Sequence, residues 1–95
     1  MIFEWFRLKA ESNIKKHQVS FDEAKTAFDD PAQIHYPDLA HSIEEDRFIC
    51  VGMSDQGQLL MVVYTEPEED RIRIISARKA TNREERVYVE QSNDT

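Results

Sequence analysis

The spacing of apolar positions along the chain predicts five β-strands. A brief alternation of apolar and polar residues near the start, and longer apolar runs later, are both typical of strands. A turn at 54–57, which contains Gly57, predicts a hairpin between two of them. The predicted strands cover residues 2–5, 33–36, 47–53, 59–65 and 71–77.

Polar residues with the spacing of helix caps predict where helices begin. Ser20 with Glu23, and Thr81 with Glu84, form the capping-box pattern, in which side chain and backbone at a helix start bond each other reciprocally. A two-residue link at 18–19 joins the first two helices into an N-terminal helical hairpin. The predicted helices cover residues 7–17, 21–28 and 82–90.

This order of elements predicts a single α+β domain over residues 1–90, followed by a frayed tail at 91–95. We expect an antiparallel β-meander with the N-terminal helical hairpin and a C-terminal helix packed on one face. The acidic stretches 38–46 and 66–70 are expected to be solvated loops.

The charge of the chain is unevenly distributed. The formal net charge is −7, yet residues 71–86 hold six of the twelve Lys and Arg side chains. Residues 18–70 hold thirteen acids against two bases. Long-range repulsion therefore opposes nucleic-acid binding by the whole surface, but it does not exclude binding in a local positive pocket. A solvated face is the alternative interpretation of the basic segment.

Several kinds of site lack a sequence signal. His35, Asp38 and His41 match no compact metal site, and there is no Gly-rich phosphate loop, so we expect neither metal nor cofactor. No apolar run reaches the roughly 20 residues that cross a membrane. Cys50 has no partner for an internal disulfide and lies in an apolar strand, so we expect a buried thiol in a cytoplasmic protein.

Residues spread over nearly the whole chain resemble the BrnT family, toxins of type II toxin–antitoxin systems. Single matching positions are Lys9, Asn13, Lys16, His17, Gly52, Glu84, Arg86 and Tyr88. The matching segments are FEW (3–5), VSFDEA (19–24), FDDP (28–31), EDR (45–47), LLMVVYT (59–65) and IRIISARKA (72–80).

The resemblance implies a fold similar to RelE-type ribonucleases, RNA cleavage and arrest of translation. It also implies neutralisation by a BrnA-like antitoxin with a ribbon-helix-helix domain, through which alone the complex binds DNA. It implies no membrane partner. Whether the RNA is cut free or on the ribosome is left open.

Two residues depart from the family pattern. Phe6 stands where the family usually has Asp, which would cap the first helix and typically contributes about 0.5–2 kcal/mol. Gln18 stands where the family usually has Gly; a left-handed backbone there would cost a non-Gly residue roughly 1 kcal/mol. Both border the first helix, which carries Lys9 and His17.

Metal-free RNA cleavage needs a proton-transfer group and cations that stabilise charge on the phosphate. His17 is the candidate for proton transfer, because a histidine side chain, with an intrinsic pKa near 6.5, can both accept and donate a proton near neutral pH. Arg78 and Lys79, at the end of a strand, are the other candidate catalytic residues. The candidate RNA-binding residues are Lys9, Lys16, Arg47, Arg73, Arg83 and Arg86. We expect these cations to converge in one pocket.

Each candidate also has a purely structural interpretation. His17 could simply bind the last carbonyls of its helix, Arg47 could pair with a loop carboxylate, and Arg83 and Arg86 could be a solvated face. The sequence favours a metal-independent endoribonuclease toxin. The alternatives are a catalytically inactive module that only binds the antitoxin as a co-repressor, and a domain that binds an acidic protein segment.

Overall fold

Five strands form one sheet in the order β1-β5-β4-β3-β2 in the computed structural model, which describes residues 1–43 and 45–93. The strands are β1 Ile2–Glu4, β2 Ile34–Pro37, β3 Phe48–Met53, β4 Leu59–Glu68 and β5 Arg71–Lys79. The α-helices are α1 Arg7–His17, α2 Phe21–Ala24 and α3 Asn82–Asn93. Short 3₁₀ helices cover Lys25–Asp29 and Leu39–His41.

The sheet is mixed rather than fully antiparallel. Strands β2 to β5 form the predicted antiparallel meander, but β1 pairs with β5 in parallel. The backbone N–H of Ile2 donates to the carbonyl of Asp70 at 2.9 Å, and the Glu4 side chain binds Arg71 and Arg73. The alternation at 2–5 reveals a strand but not its partner, so the predicted purely antiparallel sheet is wrong at this edge.

Helices cover both faces of the sheet, whereas one face was expected. Cys50 and Val62 pack with residues of the α1–α2 region in one core cluster. Their strand neighbours Val51 and Met61 lie in a second cluster, against which Tyr88 of α3 packs. Since successive strand residues point to opposite faces, the sheet has an α1 face and an α3 face.

The largest differences from the predicted element boundaries are at three places. Strand β4 continues to Glu68, and a tight turn with a left-handed Asp70 (φ 64°) replaces the predicted loop at 66–70. The second helix is one α-helical turn followed by the 3₁₀ helix Lys25–Asp29. Helix α3 continues to Asn93, and the rest of the predicted frayed tail, residues 94–95, lies outside the described residues, as does Glu44.

The buried amide of Asn13 joins α1 to β5. Its Nδ2 donates to the carbonyls of Val19 (2.9 Å) and Ala77 (2.8 Å), and its Oδ1 accepts from the Ala77 N–H (3.0 Å). Strand β1 pairs only with residues 71–73, so the amide satisfies backbone groups of β5 beyond the end of β1. With Arg73 over the Phe6 ring and Asn13 at Ala77, α1 and β5 run in the same direction.

Both departures from the family pattern have the expected structural effect. Phe6 precedes α1 in an extended conformation without a side-chain cap, and Gln18 ends the helix with left-handed angles (φ 56°, ψ 32°). A side chain with a Cβ is disfavoured in this region, where glycine is the usual residue. The end of α1 therefore stores backbone strain.

Gln18→Gly should raise the free energy of unfolding by about 1 kcal/mol, because it removes this strain. Urea unfolding followed by circular dichroism measures the change. Gln56→Gly is the matched control, because Gln56 is also exposed but has no positive φ, and it should leave stability unchanged or lower it. If Gln18→Gly, like the control, leaves the free energy of unfolding unchanged or lowers it, the inferred strain at this position is contradicted.

Among the described residues, no helix is long and apolar enough to cross a membrane.

Candidate functional site

The two arginines at the start of β5 both bind the Glu4 carboxylate, and Arg71 Nε also lies 3.6 Å from Glu68 Oε2. Arg71 Nη1 donates to Glu4 Oε1 at 3.0 Å, and Arg73 Nε donates to Glu4 Oε2 at 2.7 Å. The hydrogen bonds from Arg73 and Arg71 lower the pKa of Glu4. Arg73 also lies over the Phe6 ring, 5.2 Å from its centroid. The candidate RNA contact Arg73 is therefore placed at the β1 edge of the sheet, within an ion pair.

Arg78 and Lys79 point to opposite faces of the sheet. Arg78 pairs across the strands with Met61, which belongs to the core cluster of the α3 face. Lys79 pairs with Leu60, which belongs to the cluster of the α1 face. Paired residues of neighbouring strands share a face, so the expected single positive pocket is wrong: the two candidates serve different surfaces.

A cleft of about 320 Å³ lies between β2 and α3 on the α3 face, and we call it the β2–α3 cleft. Three aliphatic side chains form much of its wall, and polar side chains from β2 and from the start of α3 form its rim. The lining residues are Ile34, Tyr36, Val51, Thr81, Arg83, Glu84 and Val87.

Arg78 is bound to the rim of this cleft by a forked ion pair. Its Nη1 and Nη2 donate to Glu84 Oε1 and Oε2 at 2.8 and 2.9 Å. Glu84 also accepts from the Thr81 N–H, and the Glu84 N–H donates to Thr81 Oγ1, which is the predicted capping box. The sequence signal that starts α3 thus also positions Arg78.

The electrostatics of this pair keep both groups charged. The hydrogen bonds to Glu84 raise the pKa of Arg78. Burial alone would raise the pKa of Glu84, but the hydrogen bonds from Arg78 and the Thr81 N–H outweigh it, so the net pKa is lowered. About a third of the Arg78 side chain is exposed (33%), so its guanidinium can still be reached from outside.

Tyr36 and Arg83 supply the other polar groups of the cleft. Burial, followed by the nearby Glu84 carboxylate, raises the pKa of Tyr36, so its hydroxyl remains a proton donor at neutral pH. Arg83 is exposed and forms no ion pair with any described residue. The cleft therefore offers one free guanidinium, one paired guanidinium, a carboxylate and a phenol.

The remaining basic candidates of α1 and Lys79 of β5 lie along the α1–β5 contact, on the α1 face, with Lys9 one helical turn before Asn13. His17 lies one helical turn after Asn13, and Lys79 lies two strand residues after Ala77, so each extends about 6 Å beyond that contact. Helix α1 adds the exposed Lys9 and Lys16. We call Lys9, Lys16, His17 and Lys79 the helix-end surface. None of the four has an ion-pair partner in the described part of the chain.

Two candidates, Arg47 and Arg86, are not among the residues that line the β2–α3 cleft or form the helix-end surface. Arg47 is 3.7 Å from Glu45, the loop pairing that was the alternative interpretation, and its buried Nε has no hydrogen-bond partner among the described residues. Arg86 is exposed on α3. Their RNA-binding roles stay predictions.

The other two histidines and the cysteine are engaged in local structure. His35 bonds the Tyr64 hydroxyl at 2.7 Å and Gln33 at 2.6 Å, while His41 pairs with Asp38. Within residues 1–43 and 45–93, no three ligand-type side chains are grouped as a metal ion requires. Cys50 is buried, and burial raises its pKa to about 12, so its thiol stays protonated.

The comparisons with known proteins identify the family. A family model described as the ribonuclease toxin BrnT of type II toxin–antitoxin systems matches residues 5–84. The chain belongs to the BrnT family. It is thus a ribonuclease toxin of a type II toxin–antitoxin system, for which an antitoxin partner is expected. No curated protein matches the chain.

A solved BrnT structure has the same fold. The crystal structure of the Brucella abortus ribonuclease toxin BrnT superposes with a TM-score of 0.66. The match is 19% identical in sequence and covers 86% of this chain and all of that one. At this identity the likeness extends to the fold alone.

Two rim residues, Thr81 and Glu84, were predicted as a capping box and not as site residues. Tyr36 was given no role by the sequence. Its position in a four-residue strand beside Pro37 gives no sign of a function. Ile34 and Tyr36 are two residues apart in β2, so their side chains lie on the same face of the sheet. That spacing indicates a cleft only when α3 is known to pack on the same face.

Proposed function

We propose that this BrnT-family chain cuts RNA internally without a metal ion, in the β2–α3 cleft, and that cleavage arrests translation in the cytoplasm. The observation that carries the proposal is the grouping of Arg78, Arg83, Tyr36 and Glu84 around one cleft. The proposed partner is a BrnA-like antitoxin with a ribbon-helix-helix domain, which neutralises the toxin and makes the contact of the complex with DNA.

The cleft groups match the three tasks of metal-free cleavage. The 2′-hydroxyl of the RNA attacks the adjacent phosphate, and its proton passes to the ionised Glu84 carboxylate. Arg78 and Arg83 stabilise the added negative charge on the phosphate, for which the forked guanidinium is suited. The Tyr36 hydroxyl donates a proton to the departing 5′-oxygen.

The guanidinium groups contribute most of the rate in this scheme. A carboxylate with a lowered pKa is a weak base, and a phenol with a raised pKa is a weak acid. Charge stabilisation by preorganised donors is usually the largest single contribution to such a reaction. Arg78 is preorganised by its two bonds to Glu84.

The helix-end surface has a different proposed role. Lys9, Lys16 and Lys79 are cations, and neither they nor His17 have a carboxylate ion-pair partner among the described residues, as a surface that binds the RNA backbone requires. The competing hypothesis is that His17 and Lys79 are the catalytic residues. Variants on the two faces of the sheet distinguish it from cleavage in the β2–α3 cleft.

The chemistry is tested with the purified chain and a single-stranded RNA in excess EDTA. We expect internal cuts that leave a 2′,3′-cyclic phosphate and a 5′-hydroxyl. The matched control substrate carries 2′-O-methyl groups and should stay intact, because it lacks the nucleophile.

A need for Mg²⁺, or products with 5′-phosphates, would contradict the metal-free mechanism. RNA that stays intact both free and in a translation extract would support the inactive co-repressor instead.

A further inference from the structure

Helix α3 carries Arg83 and Glu84 but rests on the sheet along a narrow stripe. Among residues 82–92, only side chains spaced four apart are not exposed, namely Glu84, Tyr88 and Ser92. The aliphatic Val87 and Val89 are 39% and 46% exposed. With so little apolar burial, the position of α3 depends on its polar contacts.

Tyr88 makes the contact in the middle of this stripe. Its hydroxyl donates to Asp30 Oδ2 at 2.6 Å, across 58 residues of sequence. Its ring packs against the core cluster of the α3 face. A second polar anchor is the ion pair of Glu84 with Arg78, one helical turn earlier.

Asp30 is itself fixed by the backbone. Its Oδ2 accepts from the Met53 N–H at 2.7 Å at the end of β3, and its Oδ1 accepts from the Ala32 N–H at 2.8 Å. The carboxylate thus joins three places: the end of the 3₁₀ helix, the end of β3, and α3. Asp30 is not among the residues that line the β2–α3 cleft.

We propose that Asp30 is a positioning residue for RNA cleavage: by holding Tyr88 it fixes α3 on the sheet, and so places Arg83 and Glu84 at the cleft. The inference rests on the proposed function of that cleft. Two anchors one turn apart prevent both sliding and rotation of the helix, which a single ion pair at its first turn does not. Small displacements of reacting groups are costly, since about 1 Å can reduce a rate about a hundredfold.

The test replaces Tyr88 by Phe, which keeps the ring and removes only the hydroxyl. Loss of a hydrogen bond to a carboxylate should raise amide hydrogen exchange in α3 by about tenfold or more, while β4 exchanges as before. RNA cleavage should fall by about tenfold. Val89→Ala, on the exposed side of the same helix, is the control and should change neither.

A double-mutant cycle ties the effect to Asp30. In an Asp30→Asn background, adding Tyr88→Phe should change α3 exchange and cleavage by less than about threefold, because the pair is already disrupted. Equal effects of Tyr88→Phe in both backgrounds would overturn the role of Asp30.

The remaining outcomes also decide the matter. If exchange in β4 rises together with α3, Tyr88 serves the whole fold and the positioning role is wrong. The positioning role is also wrong if Tyr88→Phe raises hydrogen exchange in α3 but leaves RNA cleavage unchanged, while Arg83→Ala still lowers cleavage. If Arg83→Ala also leaves cleavage unchanged, the proposed site itself fails, and the inference fails with it.

Discussion

Arg78→Ala should reduce RNA cleavage by about 10²–10³-fold, the usual cost of removing one preorganised donor from a charged transition state. Arg78 is the one guanidinium of the β2–α3 cleft that is held in place by a forked ion pair with Glu84. Its loss removes a positive charge and leaves Glu84 without its partner, so phosphate binding meets repulsion as well. Single-turnover cleavage of an end-labelled RNA measures the effect.

Lys79→Ala is the matched control for this prediction. It removes a cation from the adjacent residue, but that side chain lies on the opposite face of the sheet. We expect a loss of less than about tenfold, as for one backbone contact. Thermal unfolding of both variants shows whether the fold persists. A larger effect of Lys79→Ala than of Arg78→Ala would place the reaction on the α1 face.

Asn13→Ala should lower the free energy of unfolding by about 2–4 kcal/mol, because it leaves buried backbone groups without partners. The Asn13 amide is 4% exposed and makes three hydrogen bonds, two to Ala77 and one to Val19. Water cannot easily replace these contacts, since Val19 and Ala77 are themselves buried. Urea unfolding at equilibrium gives the difference.

Leu8→Ala is the control on the same helix. Leu8 is 69% exposed, and alanine is as good a helix former, so the change should be within about 0.5 kcal/mol. Equal losses in both variants would mean that Asn13 contributes through helix propensity rather than through its bonds to β5.

Local sequence patterns predict the parts of this fold that local physics decides. The capping boxes at Ser20 and Thr81 give the starts of α2 and α3 correctly, because the bonds involved span three residues. The hairpin turn ending at Gly57 is likewise local. The strain at Gln18 follows from one residue type at one helix end.

Long-range pairing is what the patterns leave undetermined. The parallel pairing of β1 depends on Glu4 binding Arg71 and Arg73, some seventy residues away. The placement of α3 on the second face depends on Tyr88 reaching Asp30. Neither contact is visible from the spacing of apolar residues, so the predicted sheet and helix layers were each wrong in one respect.

The candidate site shows the same division. The basic segment at the end of β5 was identified from charge alone, and Arg78 is bound to Glu84 on the rim of the β2–α3 cleft. Because successive residues of a strand point to opposite faces, Arg78 and Lys79 lie on opposite faces of the sheet. This places them at different sites only because helices cover both faces. Tyr36 joins the cleft only through the three-dimensional arrangement of β2 and α3.

The most direct test of the central claim compares Arg83→Ala with His17→Ala in single-turnover RNA cleavage. Arg83 is exposed at the β2–α3 cleft and His17 lies at the helix-end surface, so neither change should disturb the core. We expect Arg83→Ala to lower the cleavage rate by about a hundredfold and His17→Ala by less than about tenfold. The reverse order would contradict cleavage in the β2–α3 cleft and assign the reaction to His17.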